Sequence, residues 1–209
     1  MRWPTSGRRC ERALGDFAMK DRSGDPLETF TLAGDLAPRD QVSANFRLYE
    51  LTTSELADRR GIDNSFSTDA QLQAAVHLAR NVMQPIRDHF GLGYSPNSVF
   101  RSQALERVLK RRPASWISTS QHTQGCACDI ELPGVPTLEL ARWAAENLAD
   151  FDQVICECYD PRKGPNAGWV HISLRPPGGG ENRRAELSYI RNPVSGLMVY
   201  VTGLRESVA

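Results

Sequence analysis

Residues 154–159 (VICECY) and 169–174 (WVHISL) are two β-prone runs separated by the Gly- and Pro-containing segment 160–168 (DPRKGPNAG). Runs of this length around such a loop read as an antiparallel hairpin. If the loop is centred on residue 164, position 157 stands opposite position 171. Directly opposed residues project from one face with Cβ atoms about 5 Å apart. The pairing therefore sets Glu157 beside His171. A slip of one residue turns Glu157 to the other face, so the expectation depends on register.

Upstream of the hairpin the periodicity becomes helical. Leu72, Ala75, Val76, Ala79, Met83, Ile86 and Phe90 recur at three- and four-residue steps, with Ser67 or Thr68 as cap and Gly91 as stop. Pro85 should bend this helix, because it removes a backbone donor. Shorter helices are expected at Glu55–Arg60, at about Gln103–Arg112, and after a Thr137 cap, where Leu138, Ala141, Ala145 and Leu148 share a face. Lys110, Arg111 and Arg112 suit the negative end of the second of these. Strands are expected at 98–101, within 118–131, and at 197–202. Helices come first and strands later, which predicts an α+β fold with a mainly antiparallel sheet flanked by helices.

Asn45 to Ala209 reads as the compact domain. Residues 1–44 carry mixed charge without sustained periodicity and read as an N-terminal extension with at most one short element near Leu27–Leu32. The extension is either solvated or an arm that docks on a partner. Of the 209 residues, 40% are hydrophobic and 24% charged, enough for a core, which excludes a wholly disordered chain. The 25 basic residues cancel the 25 acidic ones, which argues against a nucleic-acid partner. No apolar stretch approaches the roughly 18 residues of a membrane span. Residues 1–20 are basic but lack the apolar run of a signal peptide, so release by lysis or carriage on a particle is expected.

The segment 120–129 (SQHTQGCACD) carries chemistry. Gly125 lets the chain turn between His122 and Asp129, and strand alternation puts Ala127 and Asp129 on one face. A small Ala leaves room beside the carboxylate. A divalent metal held by imidazole and carboxylate needs such room and a third ligand, for which His171 on its strand is the candidate. No other ligand motif competes, so zinc is the expected ion. Glu157, beside His171, is then placed to take a proton from water and hand it to a leaving amine. The competing reading makes Glu157 a partner of Lys163 or Arg162. His77 and His89 have no second ligand at helical spacing and read as structural.

These motifs, taken in order, resemble the zinc D-alanyl-D-alanine peptidases and related phage endolysin peptidases, whose fold is shared with the hedgehog signalling domain. The resemblance runs over roughly residues 45–205. It rests on Asn45-Phe46 with Glu50-Leu51, Gln84-Pro85-Ile86-Arg87, Phe100-Arg101-Ser102, the core of Ser120, His122, Gly125, Ala127 and Asp129, the run Phe151 to Glu157, and Trp169 to Ser173. It implies zinc on His122, Asp129 and His171, and Glu157 as general base. It further implies that Arg101 polarises the scissile carbonyl or binds a substrate carboxylate, and that Ser120 hydrogen-bonds substrate. Read on their own, Arg101 has the competing reading of a helix-start residue paired with a surface acid, and Ser120 that of a cap on its loop. Many relatives carry the base three residues before the last His, where this chain has Gly168, and Asn five residues after the Arg, where it has Glu106.

Five cysteines are present. Strand alternation turns Cys126 and Cys128, and Cys156 and Cys158, away from the metal-binding face. Buried free thiols, a cross-strand disulfide and a four-thiolate zinc site are all compatible with that arrangement if the two strands are neighbours. The function expected is zinc-dependent hydrolysis of a peptidoglycan peptide bond involving D-Ala, plausibly by a phage-encoded or virion-associated enzyme whose residues 1–44 contact tail proteins. The alternatives are a non-catalytic virion or wall-binding module that keeps fold and metal, and an amidohydrolase acting on a non-wall amide.

Overall fold

A computed structural model describes residues 30–34, 37–176 and 178–206. Among the described residues, five α-helices precede or interrupt five strands: α1 (Glu55–Arg60), α2 (Asp69–Leu78), α3 (Gln84–Phe90), α4 (Gln103–Leu109), β1 (Ala127–Ile130), α5 (Thr137–Asn147), β2 (Gln153–Glu157), β3 (Trp169–Ser173), β4 (Ala185–Arg191) and β5 (Met198–Thr202). The strand order is β1-β3-β2-β4-β5.

Local chemistry sets the helix starts. The Ser54 hydroxyl accepts from the Ala57 N–H, and Thr68 and Gln71 form a reciprocal capping box. Between α2 and α3 the backbone stays helical through a π turn, Ala79–Met83, where the Gln84 N–H reaches Ala79 O. The bend expected at Pro85 is thus absorbed as one wider turn just upstream of the ring. α4 ends at Leu109, short of Arg112, and Pro136 rather than Thr137 occupies the cap of α5. The strand expected at 98–101 reduces to a single bridge, Ser98 with Asp129.

The sheet is mixed, which corrects the expectation of a mainly antiparallel one. β3 pairs antiparallel with β1 and β2, and β4 with β5, but β4 runs parallel to β2. After β3 the chain passes the start of β2 and adds β4 on its far edge. Parity then decides the layers. Cys128, Ile130, Val154, Cys156, Val170 and Ile172 point to one face and are fully buried. Against that face pack α5, over β2 and β3, and α2, over β1. Each buried Val or Ile contributes roughly 1.5–3 kcal/mol. The opposite face carries Asp129, Ile155, Glu157, His171, Leu187, Tyr189 and Tyr200 and opens into a cleft.

Packing begins upstream of Asn45. Phe30 and Val42 are buried in the core, and Gln84 Oε1 accepts from the Asn45 N–H (2.9 Å) and the Ser43 hydroxyl (3.0 Å). The rest of the proposed arm, residues 1–29, and Cys10 lie outside the described residues. Cys126, Cys128, Cys156 and Cys158 are free. β3 separates β1 from β2, so the cysteine pairs are not on neighbouring strands. Among the described residues no helix is long and apolar enough to cross a membrane.

Candidate metal centre

Residues 97–101 lace the centre together. The Asn97 N–H donates to Asp129 O (2.8 Å), the Asp129 N–H to Ser98 O (2.8 Å), and the Arg101 N–H to His122 O (3.2 Å). Asn64, which the sequence gives no reason to single out, fixes this segment. Its Nδ2 donates to Thr52 O (2.7 Å) and Phe100 O (3.1 Å), and its Oδ1 accepts from the Ser102 N–H (2.7 Å). His122 rides on a 3-10 turn, Gln121–Gln124, closed by Gly125 at φ 74°. A side chain at 125 would also run into the Gln71 carbonyl of α2, so glycine is required there twice over.

The structure brings His122, Asp129 and His171 together, all buried. His122 Nε2 lies 3.2 Å from His171 Nδ1 and 3.2 Å from Asp129 Oδ1, and His171 Nδ1 lies 3.0 Å from Asp129 Oδ1. A tetrahedral ion with bonds of about 2.0–2.1 Å spaces its ligands about 3.3–3.4 Å apart. The triangle of two nitrogens and one oxygen is therefore close to one face of a zinc tetrahedron. His122 Nδ1 sits 2.7 Å from Val99 O, which fixes the proton on Nδ1 and leaves the Nε2 lone pair facing the site. Burial pulls the His122 imidazole toward its neutral, ligating form. Burial alone would raise the Asp129 carboxyl, but its contacts with the two imidazoles hold it well below the carboxylate range.

Arg101 backs this group. Its Nη2 donates to the second Asp129 oxygen, Nε to the Ser98 hydroxyl (2.7 Å) and Nη1 to Glu106 Oε1 (3.4 Å). Glu106, fully buried, also accepts from the Ser118 hydroxyl (3.1 Å). The partner of Arg101 is thus a metal-ligand candidate and a buried acid, not a surface acid. Ser120 lines the cleft, and its hydroxyl makes no cap to the following turn.

Glu157 faces the cleft, but the register differs from the expectation. Glu157 stands opposite Trp169, and Ile155 opposite His171. β2 ends at Glu157, where Cys158 turns off at φ 58°, so the loop is centred on 163 rather than 164. The shift is two residues, parity survives, and Glu157 keeps the His171 face, now diagonal to it. It forms no ion pair among the described residues, while Arg162 pairs with Asp160. Burial pushes the Glu157 carboxyl up, partly offset by nearby His171. Gly168, at φ 76°, has no space for a side chain against the Glu157 carbonyl and Cys158, so no acid can occupy the alternative position.

A cleft of ≈ 1100 Å³ joins these groups. It is lined also by Lys110, Trp169 and the stacked pair Tyr189 and Tyr200 (4.4 Å between ring centres). Tyr189 stands on β4, for which no strand was expected, and Tyr200 on the expected last strand meets it only through the β4–β5 pairing. A family model described as Peptidase M15 matches residues 44–173, a span that contains every site residue named so far except Tyr189 and Tyr200. The chain belongs to the M15 peptidases, the zinc D-Ala-D-Ala peptidase family. No curated protein matches it in sequence. M15 peptidases are zinc-dependent metallopeptidases, and the donor set of this M15 chain suits that ion.

Proposed function

We propose that this M15 metallopeptidase hydrolyses a peptide bond of bacterial peptidoglycan, in a D-Ala-containing stem or cross-link peptide. The observation that carries the reading is the triangle of His122, Asp129 and His171 ligand atoms at 3.0–3.2 Å in a cleft shared with Glu157. Bound by those three residues, zinc supplies Lewis acidity toward a carbonyl and toward water.

The remaining work belongs to the chain. Glu157, its proton affinity raised by burial, accepts the proton of the attacking water and returns it to the leaving amine. Arg101 holds Asp129 by one oxygen so that the other points at the ligand triangle. Its guanidinium, 17% exposed, adds positive charge where the carbonyl oxygen turns negative. Ser120 offers an uncommitted hydroxyl to substrate. Muropeptide analysis of purified wall tests the proposal: new free amines released by the zinc-loaded protein are expected. Retention on the wall without new amines would instead mark a binding module.

A further inference from the structure

The cleft holds a second charged cluster that the mechanism does not use. Asp152, the residue before β2, is fully buried. Its carboxylate is saturated by Arg175 Nε (3.0 Å), the Arg183 N–H and Nε (3.0 Å each), Arg183 Nη2, and Gln121 Nε2 (2.9 Å). One bidentate arginine would neutralise this acid. Two arginines leave a net positive charge at the cleft wall. Arg175 spends only Nε on Asp152. Its two terminal nitrogens have no hydrogen-bond partner among the described residues, and its side chain is 35% exposed. The acids lining the cleft are Asp129 and Glu157.

The cluster has a defined place relative to the chemistry. Gln121 precedes the ligand His122, and the Asp152 N–H donates to Ser173 O (2.7 Å), two residues past His171 on β3. Asp152 stands three residues before Ile155, the partner of His171, which at about 3.3 Å per residue is about 10 Å along the strands from the ligand row. Glu157 lies two residues the other way, opposite Trp169. Because Glu157 delivers the proton to the leaving amine, the leaving half of a substrate lies on its side. The acyl half lies on the side of the arginines.

We infer that Arg175, backed by Arg183, is an anion subsite for the acyl half of the substrate, taking a free carboxylate carried about three residues from the scissile bond. The substrate class is then a peptide whose acyl part keeps an extra carboxylate, as a γ-linked glutamate or a diamino-dicarboxylic acid does. This rests on the peptidase reading for its orientation. Arg101 already has each of its three nitrogens engaged, by Ser98, Glu106 and Asp129, whereas the terminal nitrogens of Arg175 have no such partner among the described residues.

The test uses the zinc-loaded full chain carrying Glu157→Gln, so that bound peptide persists. The probes are acetyl-γ-D-glutamyl-L-lysyl-D-alanyl-D-alanine with the glutamate α-carboxylate free, and the same peptide with that group amidated. Calorimetry is expected to show the free acid binding at least about tenfold more tightly. Arg175→Gln should abolish the difference with zinc content and melting temperature retained, because Arg183 still holds Asp152. Equal binding of acid and amide, no binding of either, or a preference that survives Arg175→Gln would overturn the subsite. Turnover of the two peptides by the unmodified chain is scored separately. Acid-selective binding without hydrolysis leaves the subsite standing and removes the peptidase reading. Hydrolysis with no preference between the two does the reverse.

Discussion

Glu157 is half-buried, faces the cleft and forms no ion pair among the described residues, so burial outweighs the more distant charges of His171, Lys110 and Arg101. A carboxylate in that position keeps its proton to higher pH than an exposed one. Proton abstraction needs the ionised form. The acid limb of kcat/KM should therefore fall at a higher pH than an exposed glutamate would give, measured on a stem-peptide substrate across acid to neutral pH. Glu157→Gln should lower kcat by about 10²–10⁴-fold while zinc content stays unchanged. Asp152 behaves oppositely. Burial would raise its carboxyl, but hydrogen bonds from Arg183 and Gln121 hold it well below the usual range. A depressed folded-state value contributes stability above the unfolded value and loses it as pH falls. Asp152→Asn should thus cost about 1–3 kcal/mol at neutral pH, allowing for its half-exposed arginines. The gap to wild type should shrink below about pH 4 in denaturant titrations. Both side chains stand in segments readable from sequence, Phe151 to Glu157. Their partners do not, because Arg183 and Gln121 meet Asp152 only through tertiary packing.

The hairpin of β2 and β3 shows what local pattern does and does not specify. Alternation assigned Glu157 and His171 to one face, and the observed two-residue shift of register preserves that assignment. The shift arises because Cys158 leaves the strand early against Gly168, a turn chemistry that the β-prone run VICECY conceals. Gly168→Ala should destabilise the fold by more than about 1 kcal/mol, read as a lowered denaturation midpoint, since the position needs both positive φ and empty space. β4 escaped notice for a different reason. The run 185–191 (AELSYIR) is interrupted by Glu186, Ser188 and Arg191 and mostly half-buried or exposed, and its parallel pairing with β2 has no local signature. Cys128 and Cys156 lie in the core on the helical face of the sheet, whereas Cys126, just before β1, lines the cleft instead of turning away from it. Burial pushes the thiols of Cys126 up to about 11 and of Cys156 up to about 12, and Cys128 higher than usual as well. Under native conditions at neutral pH these three should resist a thiol reagent that labels them readily after denaturation.

At the scale of the whole molecule, one sheet separates an apolar layer from a reactive one. The helical face of the sheet supplies the core, and the other face, walled by the start of α2, the 119–124 segment and the β3–β4 connection, supplies the cleft. The helices and ligand-bearing strands were legible because hydrophobic period, caps and the spacing around Gly125 are local signals. The mixed sheet, the packing of Phe30 and Val42, and the tyrosine and arginine ends of the cleft were not, because they exist only once distant segments meet. Three such segments bring His122, Asp129 and His171 within reach of a single ion. Elemental analysis of the purified protein against His122→Ala, after dialysis with zinc and removal of excess, tests this most directly. About one zinc per chain is expected in the wild type, with a melting temperature that falls on chelation, and essentially none in the variant. A wild type without zinc, or a variant that retains it fully, would contradict the account.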